Sequence, residues 1–237
     1  MILQKEIRSY SSDLGVPNAT IDKDWVLGHV LNAIYCSKVF NPELVFKGGT
    51  SMRKLYYKDY RFSEDLDFTA QDQNLKVGKS QIEQILDFAH NMSDIHFYIS
   101  QHNEMLFQNK IVGYQTIIKY WGADHPRNQA ITSPERWHTF IKIEIVTNEI
   151  IVNETVYKPI IHSYSDASLI QSEVPCYNIT EMMAEKLRAT LQRKYTAPRD
   201  YFDLWFMINH EEIDWETVKL TFIQKAQLKN ICLLTTH

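Results

Sequence analysis

Cysteine is scarce in this 237-residue sequence: Cys36, Cys176 and Cys232 are widely spaced and form no CxxC pair. An odd, scattered set supports neither a disulfide framework nor a zinc knuckle, so a reducing cytoplasm is the simplest expectation. Glycine and proline, at seven each, are too few for a collagenous or linker-rich chain. No apolar run approaches the ~20 residues that a membrane span requires. The opening residues, MILQKEIRSYSSDLG, lack the basic-then-apolar order of a signal peptide. Positive charge is not in excess: 25 Lys and Arg face 29 Asp and Glu, a net charge of −4. That excludes a polycationic coat protein and leaves room only for a local basic groove. The nine histidines form no HxxxH or HD ligand pair, which ranks a metal hydrolase low.

What is present is enough apolar material for a core, 44% of residues with 12% aromatic. The length suits one large domain or two small ones. Val26, Val30 and Ile34 recur every four residues, and Leu27, Leu31 and Tyr35 repeat the step beside them. This pattern predicts a helix over Asp22 to Phe40, ended by Asn41-Pro42. Leu44 to Lys47 reads as a short strand and Gly48-Gly49-Thr50-Ser51 as a tight turn, with Thr50 or Ser51 capping a helical run from Met52 to Tyr57. Ser63 to Thr69 alternates as a strand, Lys79 to Asn91 repeats as a helix, and residues 95–99, 111–121 and 137–146 read as further strands. That makes five or so strands before residue 150. Three helices follow: one capped by Thr180, one after Pro198 with its aromatic residues on the buried side, and one over Asp214 to Lys229. The expected layout is an α/β domain over residues 1–165 and a helical domain over residues 166–237.

The most informative segment is FKGGTSMRKLYYKDYRFSEDLDFTA, residues 46–70. Residues two apart on a strand share a face, so Asp65 and Asp67 point together while Leu66 and Phe68 point into the core. Two carboxylates roughly 6.6–7 Å apart along a strand suit a pair of divalent cations. Oxygen ligands favour Mg²⁺ or Mn²⁺ over zinc. An isolated Asp-x-Asp is most often a solvated strand face. This one follows a strand–Gly-Gly–helix turn, whose free backbone N–H groups suit a phosphate. The turn is not a P-loop, because GxxxxGK[ST] is absent.

A third acid is available at Glu144, which shares a face with Lys142 if Ile141, Ile143 and Ile145 are buried. It joins the pair only if its strand neighbours theirs; otherwise it belongs to a solvated edge. Glu185 and Lys186 sit on adjacent helix faces, so only one points straight at a common site. A cationic Lys186 would neutralise charge on a triphosphate. Asp200 and Asp203 lie one turn apart, one to orient Lys186 and one to cap the helix, and the sequence does not choose between them.

The blocks GGTSMRK, RFSEDLDF and EKLRATLQRKYTAPRDYFDL, spanning Phe46 to Leu204, resemble the AbiEii-type nucleotidyltransferase family. These are toxins of abortive-infection and toxin–antitoxin systems in bacteria, related to the DNA polymerase β-like superfamily. The resemblance implies an α+β fold: a nucleotidyltransferase-like mixed β-sheet domain with flanking helices, then a helical C-terminal domain completing the active-site cleft. It implies that Gly48, Gly49 and Thr50, with Ser51 beside them, contact NTP phosphates. Asp65 and Asp67 match its metal-binding pair, and Glu144 falls where the superfamily places a third carboxylate. Lys186 matches the Glu-Lys-Leu block and Asp200 the Arg-Asp that follows.

The implied reaction is transfer of NMP from an NTP to a hydroxyl with Mg²⁺ or Mn²⁺, the acceptor an RNA, such as a tRNA 3′ end. Arg188, Arg193, Lys194 and Arg199 would line the RNA backbone, with Tyr195 as a stacking platform. A cognate antitoxin protein is a partner implied by the resemblance alone, and no membrane is. Two rivals stay open: transfer to a protein or small molecule, and a non-catalytic module built on the same fold. Retention of two facing carboxylates argues against the module.

Overall fold

The computed structural model describes residues 1–40, 44–126, 128–193 and 197–229. Helix α1 (Gln4–Leu14) and helix α2 (Asn18–Cys36) lead into strand β1 (Leu44–Lys47). A short helical turn α3 (Gly48–Ser51) runs directly into a π-helical turn, Met52–Tyr56, and then to β2 (Asp65–Ala70). Helix α4 (Lys79–Ser93) precedes β3 (His96–Phe107), β4 (Lys110–Trp121), β5 (Phe140–Val146), β6 (Val156–Pro159) and β7 (Glu173–Cys176). Helices α5 (Ile179–Gln192), α6 (Pro198–His210) and α7 (Trp215–Leu228) follow. No helix among the described residues is long and apolar enough to cross a membrane.

The seven strands form one mixed sheet in the order β3-β4-β5-β2-β1-β7-β6. Strands β2/β5 and β1/β7 pair parallel and the other neighbours antiparallel. Thus β7, beyond residue 165, lies directly against β1.

Alternation divides the sheet into two faces. Leu44 and Phe46, Leu66 and Phe68, and Ile141, Ile143 and Ile145 all enter one core with α2 and α4. Helix α2 is buried nearly all round from Ile21 to Tyr35, its polar residues Asp22, Asp24, His29 and Asn32 included. It starts at Asn18 rather than Asp22 and ends at Cys36 rather than Phe40, ahead of Asn41-Pro42, which lie outside the described residues. On the opposite face Val45 packs with Met52, Tyr60, Tyr177, Met182, Met183, Leu204, Met207 and Val218 in a second, smaller core. The polar residues that alternate with the first core, Lys47, Asp65, Asp67, Lys142 and Glu144, therefore face the α5–α7 side.

Several local expectations are corrected. Ser51 Oγ donates to Gly48 O at 2.8 Å and Thr50 Oγ1 to Asp65 O, so neither caps the following run. The helical turn already spans Gly48–Ser51. Asn178, not Thr180, caps α5, accepting from Glu181 N at 2.8 Å. Pro198 occupies the first turn of α6, where its missing N–H costs nothing. Of the aromatic residues of α6 only Phe206 packs against the second core: Tyr201, Phe202 and Trp205 are exposed, whereas Asp200, Asp203, Leu204 and Met207 are buried. The reason is electrostatic, because the two carboxylates are needed inside by cations of other elements. Asp214 caps α7, accepting from Glu216 N and Thr217 N at 3.1 and 3.2 Å.

Candidate active site

A cleft of about 220 Å³ opens between the polar face of the sheet and α5 and α6, lined in part by Lys47, Gly48, Gly49, Asp67, Glu144, Lys186 and Asp200. Six sequence-predicted site residues therefore converge there: Gly48, Gly49, Asp67, Glu144, Lys186 and Asp200. Asp65 lies next to them on the same face of β2, its side chain 44% exposed and 3.2 Å from Lys142 Nζ. Thr50 and Ser51 do not line the cleft. Their buried hydroxyls brace the turn against β2 and the Gly48 carbonyl.

Parallel pairing sets the acidic cluster. In the β2/β5 register Asp67 is the partner of Glu144, and Asp65 of Lys142. This meets the condition that the sequence left open for Glu144. Burial, followed by the charges of Glu144 and Asp65, raises the Asp67 carboxyl to about 6. Lys142 Nζ stands between the acids, 3.2 Å from Asp65 and 3.5 Å from Glu144. Neighbouring carboxylates of this kind suit a divalent oxygen-bound cation such as Mg²⁺ or Mn²⁺.

The turn that follows β1 is shaped around Asp67. Gly48 has φ +82°, and a Cβ there would fall 2.5 Å from Asp67 Oδ2. Glycine is thus required twice over, by conformation and by the closeness of the carboxylate.

Opposite the acids stands a cationic wall. Lys186 Nζ lies 3.0 Å from Asp200 Oδ1 and 2.7 Å from Asp203 Oδ2, so both acids hold it. Asp200 also pairs with Arg193 at the cleft rim. Asp203, with no exposed surface, accepts from Arg61 Nε and Nη2, both at 2.8 Å, and from Tyr60. Burial opposes its charge, yet Arg61 and Lys186 hold the Asp203 carboxyl below its ordinary range.

Glu185 and Lys186 both line the cleft, contrary to the expectation that only one would reach it. Glu185 Oε1 takes Lys47 Nζ at 2.9 Å from across the cleft, which brings its α5 position into the site. Lys47 and Tyr177 are site residues that the sequence reading did not single out. The signal for Lys47 was present: it shares its strand face with Val45 and immediately precedes Gly48. Nothing local marked Tyr177, which enters because β7 lies beside β1. Of the four cations expected along an RNA backbone, Arg188 is buried against Glu149 at 3.0 Å and is structural. Arg193 is at the cleft, Arg199 is exposed, and Lys194 and Tyr195 lie outside the described residues.

The tightest group of potential metal ligands among the described residues lies elsewhere, at His29, His162 and Asp166. It is a hydrogen-bonded knot. Asp166 accepts from His29 Nε2 at 3.0 Å, His162 Nε2 at 3.1 Å and Trp25 Nε1 at 3.0 Å. Metal-bound histidines nearly always donate their second N–H, and buried His162 Nδ1 has no partner to receive it. The proton belongs on Nε2, facing Asp166.

Residues 29–235 match the family model described as "Nucleotidyl transferase AbiEii toxin, Type IV TA system". The chain belongs to this family. It is a nucleotidyltransferase toxin of the AbiEii type, a membership that implies an NTP substrate. Its fold is similar to MenT4, a nucleotidyltransferase toxin from Mycobacterium tuberculosis H37Rv, with a TM-score of 0.65 and 20% identity. That alignment covers 95% of this chain and 70% of MenT4. JHP933 from Helicobacter pylori is similar at a TM-score of 0.53 and 16% identity, over 88% of this chain and 79% of that one. No curated protein matches the sequence. The AbiEii chain thus places the polar face of its sheet, its glycine turn and the α5–α6 acids and lysine around one cleft.

Proposed function

We propose that this AbiEii chain transfers NMP from an NTP to a hydroxyl of RNA, a tRNA 3′ end, as the toxin of its toxin–antitoxin pair. The observation that carries the reading is the Asp67–Glu144 register, which sets two adjacent acids opposite Lys186 in one cleft. In this reading Asp65, Asp67 and Glu144 hold Mg²⁺ or Mn²⁺. When bound, such cations neutralise phosphate charge and lower the pKa of an attacking hydroxyl.

The remaining work falls to side chains and backbone. Gly48 and Gly49 admit the phosphates close to the backbone at the start of α3, where N–H groups point outward. Lys186, fixed by Asp200 and Asp203, faces the charge that develops as the acceptor oxygen attacks the α-phosphorus and pyrophosphate leaves. Asp200 orients Lys186 from the next helix. Helices α5 and α6, within the expected second domain, supply the wall that completes the cleft. Arg193 and Arg199 are the described cations offered to an RNA backbone. The cognate antitoxin is the expected protein partner.

The test is transfer from α-labelled ATP, CTP, GTP and UTP to total bacterial RNA with Mg²⁺ or Mn²⁺, beside Asp67→Ala. Label entering a tRNA-sized band with wild type alone is the expected result and gives the base preference. Metal-dependent NTP binding without RNA labelling sinks the tRNA reading in favour of a protein or small-molecule acceptor.

A further inference from the structure

Lys47 and Asp67 are directly opposed in the antiparallel pair β1/β2. At such positions Cβ atoms stand about 4.5–5.5 Å apart, and opposite charges ordinarily join. Here they do not. Lys47 Nζ bonds Glu185 Oε1 at 2.9 Å, and the Asp67 carboxylate makes no hydrogen bond or ion pair among the described residues, although the charges of Lys47 and Lys142 still act on it. Glu185 is anchored from behind: its Oε2 is 3.5 Å from Lys225 Nζ on α7. Lys225, with no exposed surface, is itself fixed by Glu181 at 2.7 Å and by the Ile150 carbonyl at 2.9 Å. Both ammonium groups flank the Tyr177 ring, with Lys47 Nζ 5.6 Å and Lys225 Nζ 4.9 Å from its centroid.

We propose that Glu185 is a positioning residue that draws Lys47 away from Asp67 and so keeps that carboxylate open to a divalent cation. The proposal rests on the reading of Asp67 as a cation ligand. Without the Glu185 charge, the carboxylates that still act on Lys47 are those of Glu149 and Asp67; Asp67 stands directly opposite it in the strand pair, and pairing there places an ammonium where the cation belongs. Lys142, on the exposed side of the cluster, needs no such clamp. Its side chain is 27% exposed and has solvent beside it to move into. Lys47, with a side chain only 9% exposed, has no solvent to retreat to. The network thus runs from α7 through α5 to β1 and ends on the charge state of the cleft.

The experiment is a Mn²⁺ titration of the full chain without nucleotide, followed by electron paramagnetic resonance, on wild type, Asp67→Asn, Glu185→Gln, Lys47→Met and the Glu185→Gln/Lys47→Met double variant. Asp67→Asn is expected to reduce binding sharply. Glu185→Gln is expected to weaken it about tenfold, the scale of one displaced close charge pair, and to have no effect once Lys47 is Met. Loss of structure alone would weaken binding equally in both backgrounds. That result overturns the proposal, as does wild-type binding by Glu185→Gln. If Asp67→Asn binds Mn²⁺ as wild type does, the cation reading of Asp67 fails and takes the proposal with it. That outcome is distinct from loss in Asp67→Asn with none in Glu185→Gln. Circular dichroism checks folding, and Glu185→Asp, which draws the carboxylate back by one methylene, replaces Gln in the cycle if Gln does not fold.

Discussion

Asp67 and Glu144 are register partners on parallel strands, two carboxylates held side by side by backbone hydrogen bonding rather than by any attraction between them. Burial, with this sheet-imposed repulsion added to it, raises the Asp67 carboxyl to about 6. A folded carboxyl that holds its proton more tightly than the unfolded chain costs stability once it ionises. Stability from this group is therefore lost as pH rises from about 4 through about 6. Asp67→Asn is expected to be more stable than wild type by roughly 1–3 kcal/mol near pH ~8, with the difference vanishing near pH ~4. Urea denaturation at the two pH values checks it. An Asn variant no more stable at the higher pH would show that the acids do not strain the fold.

Gly48→Ala meets both φ +82° and the Asp67 carboxylate 2.5 Å from its new Cβ. The expected cost is roughly 1–3 kcal/mol of stability and about a hundredfold in transfer rate, because Asp67 must shift. Gly15→Ala is the control. Gly15 also has positive φ, +65°, but nothing lies within 4 Å of its Cβ position, so only about 1 kcal/mol should be lost and no activity. Thermal melts and transfer rates of the two variants separate the terms.

Behind the glycine turn, Asp24 takes Arg53 Nε and Lys54 Nζ, each at 2.7 Å. Burial opposes the charge on Asp24, yet Lys54 and Arg53 bring its carboxyl down to about 2. Lys54 is itself buried, and its ammonium is pushed down by that burial. Asp24→Asn leaves this cation without its partner and is expected to cost about 3–5 kcal/mol. Recovery of most of that loss by Asp24→Asn/Lys54→Met, measured by urea unfolding, would trace the cost to the unpaired charge. Its absence would assign the loss to packing.

Lys186→Met is expected to leave the fold intact, because Asp203 keeps Arg61 and Tyr60 as partners. Its transfer rate should fall about a hundredfold or more with little change in nucleotide affinity, the signature of a charge that acts in the transition state. A variant with wild-type kcat would remove Lys186 from the chemistry.

The Asp65–Asp67 pair, the glycine turn and the strands around them were legible because strand alternation is local: Leu66 and Phe68 inward determine Asp65 and Asp67 outward. Helix α4 was legible over Lys79 to Asn91 for the same kind of reason, its apolar residues recurring with helical period. The short strands β6 and β7 were not, since four residues give too little pattern to separate a strand from a loop. Helix α1 also went unread, with a single buried residue, Ile7. The inward face of α6 was misjudged because hydrophobicity points to Tyr201 and Trp205, whereas Lys186 and Arg61, remote in sequence, demand the carboxylates of Asp200 and Asp203.

By itself, the sequence determined which residues carry charge, which face of each strand they occupy, and which blocks mark the chain as AbiEii-like. Those properties depend on neighbours within a few positions. Only the tertiary structure decided that Glu144 stands beside Asp67, that both acids of α6 hold Lys186, and that Lys47 turns to Glu185 instead of Asp67. Each of these depends on strand order or helix docking, where residues far apart in the chain compete for the same charge.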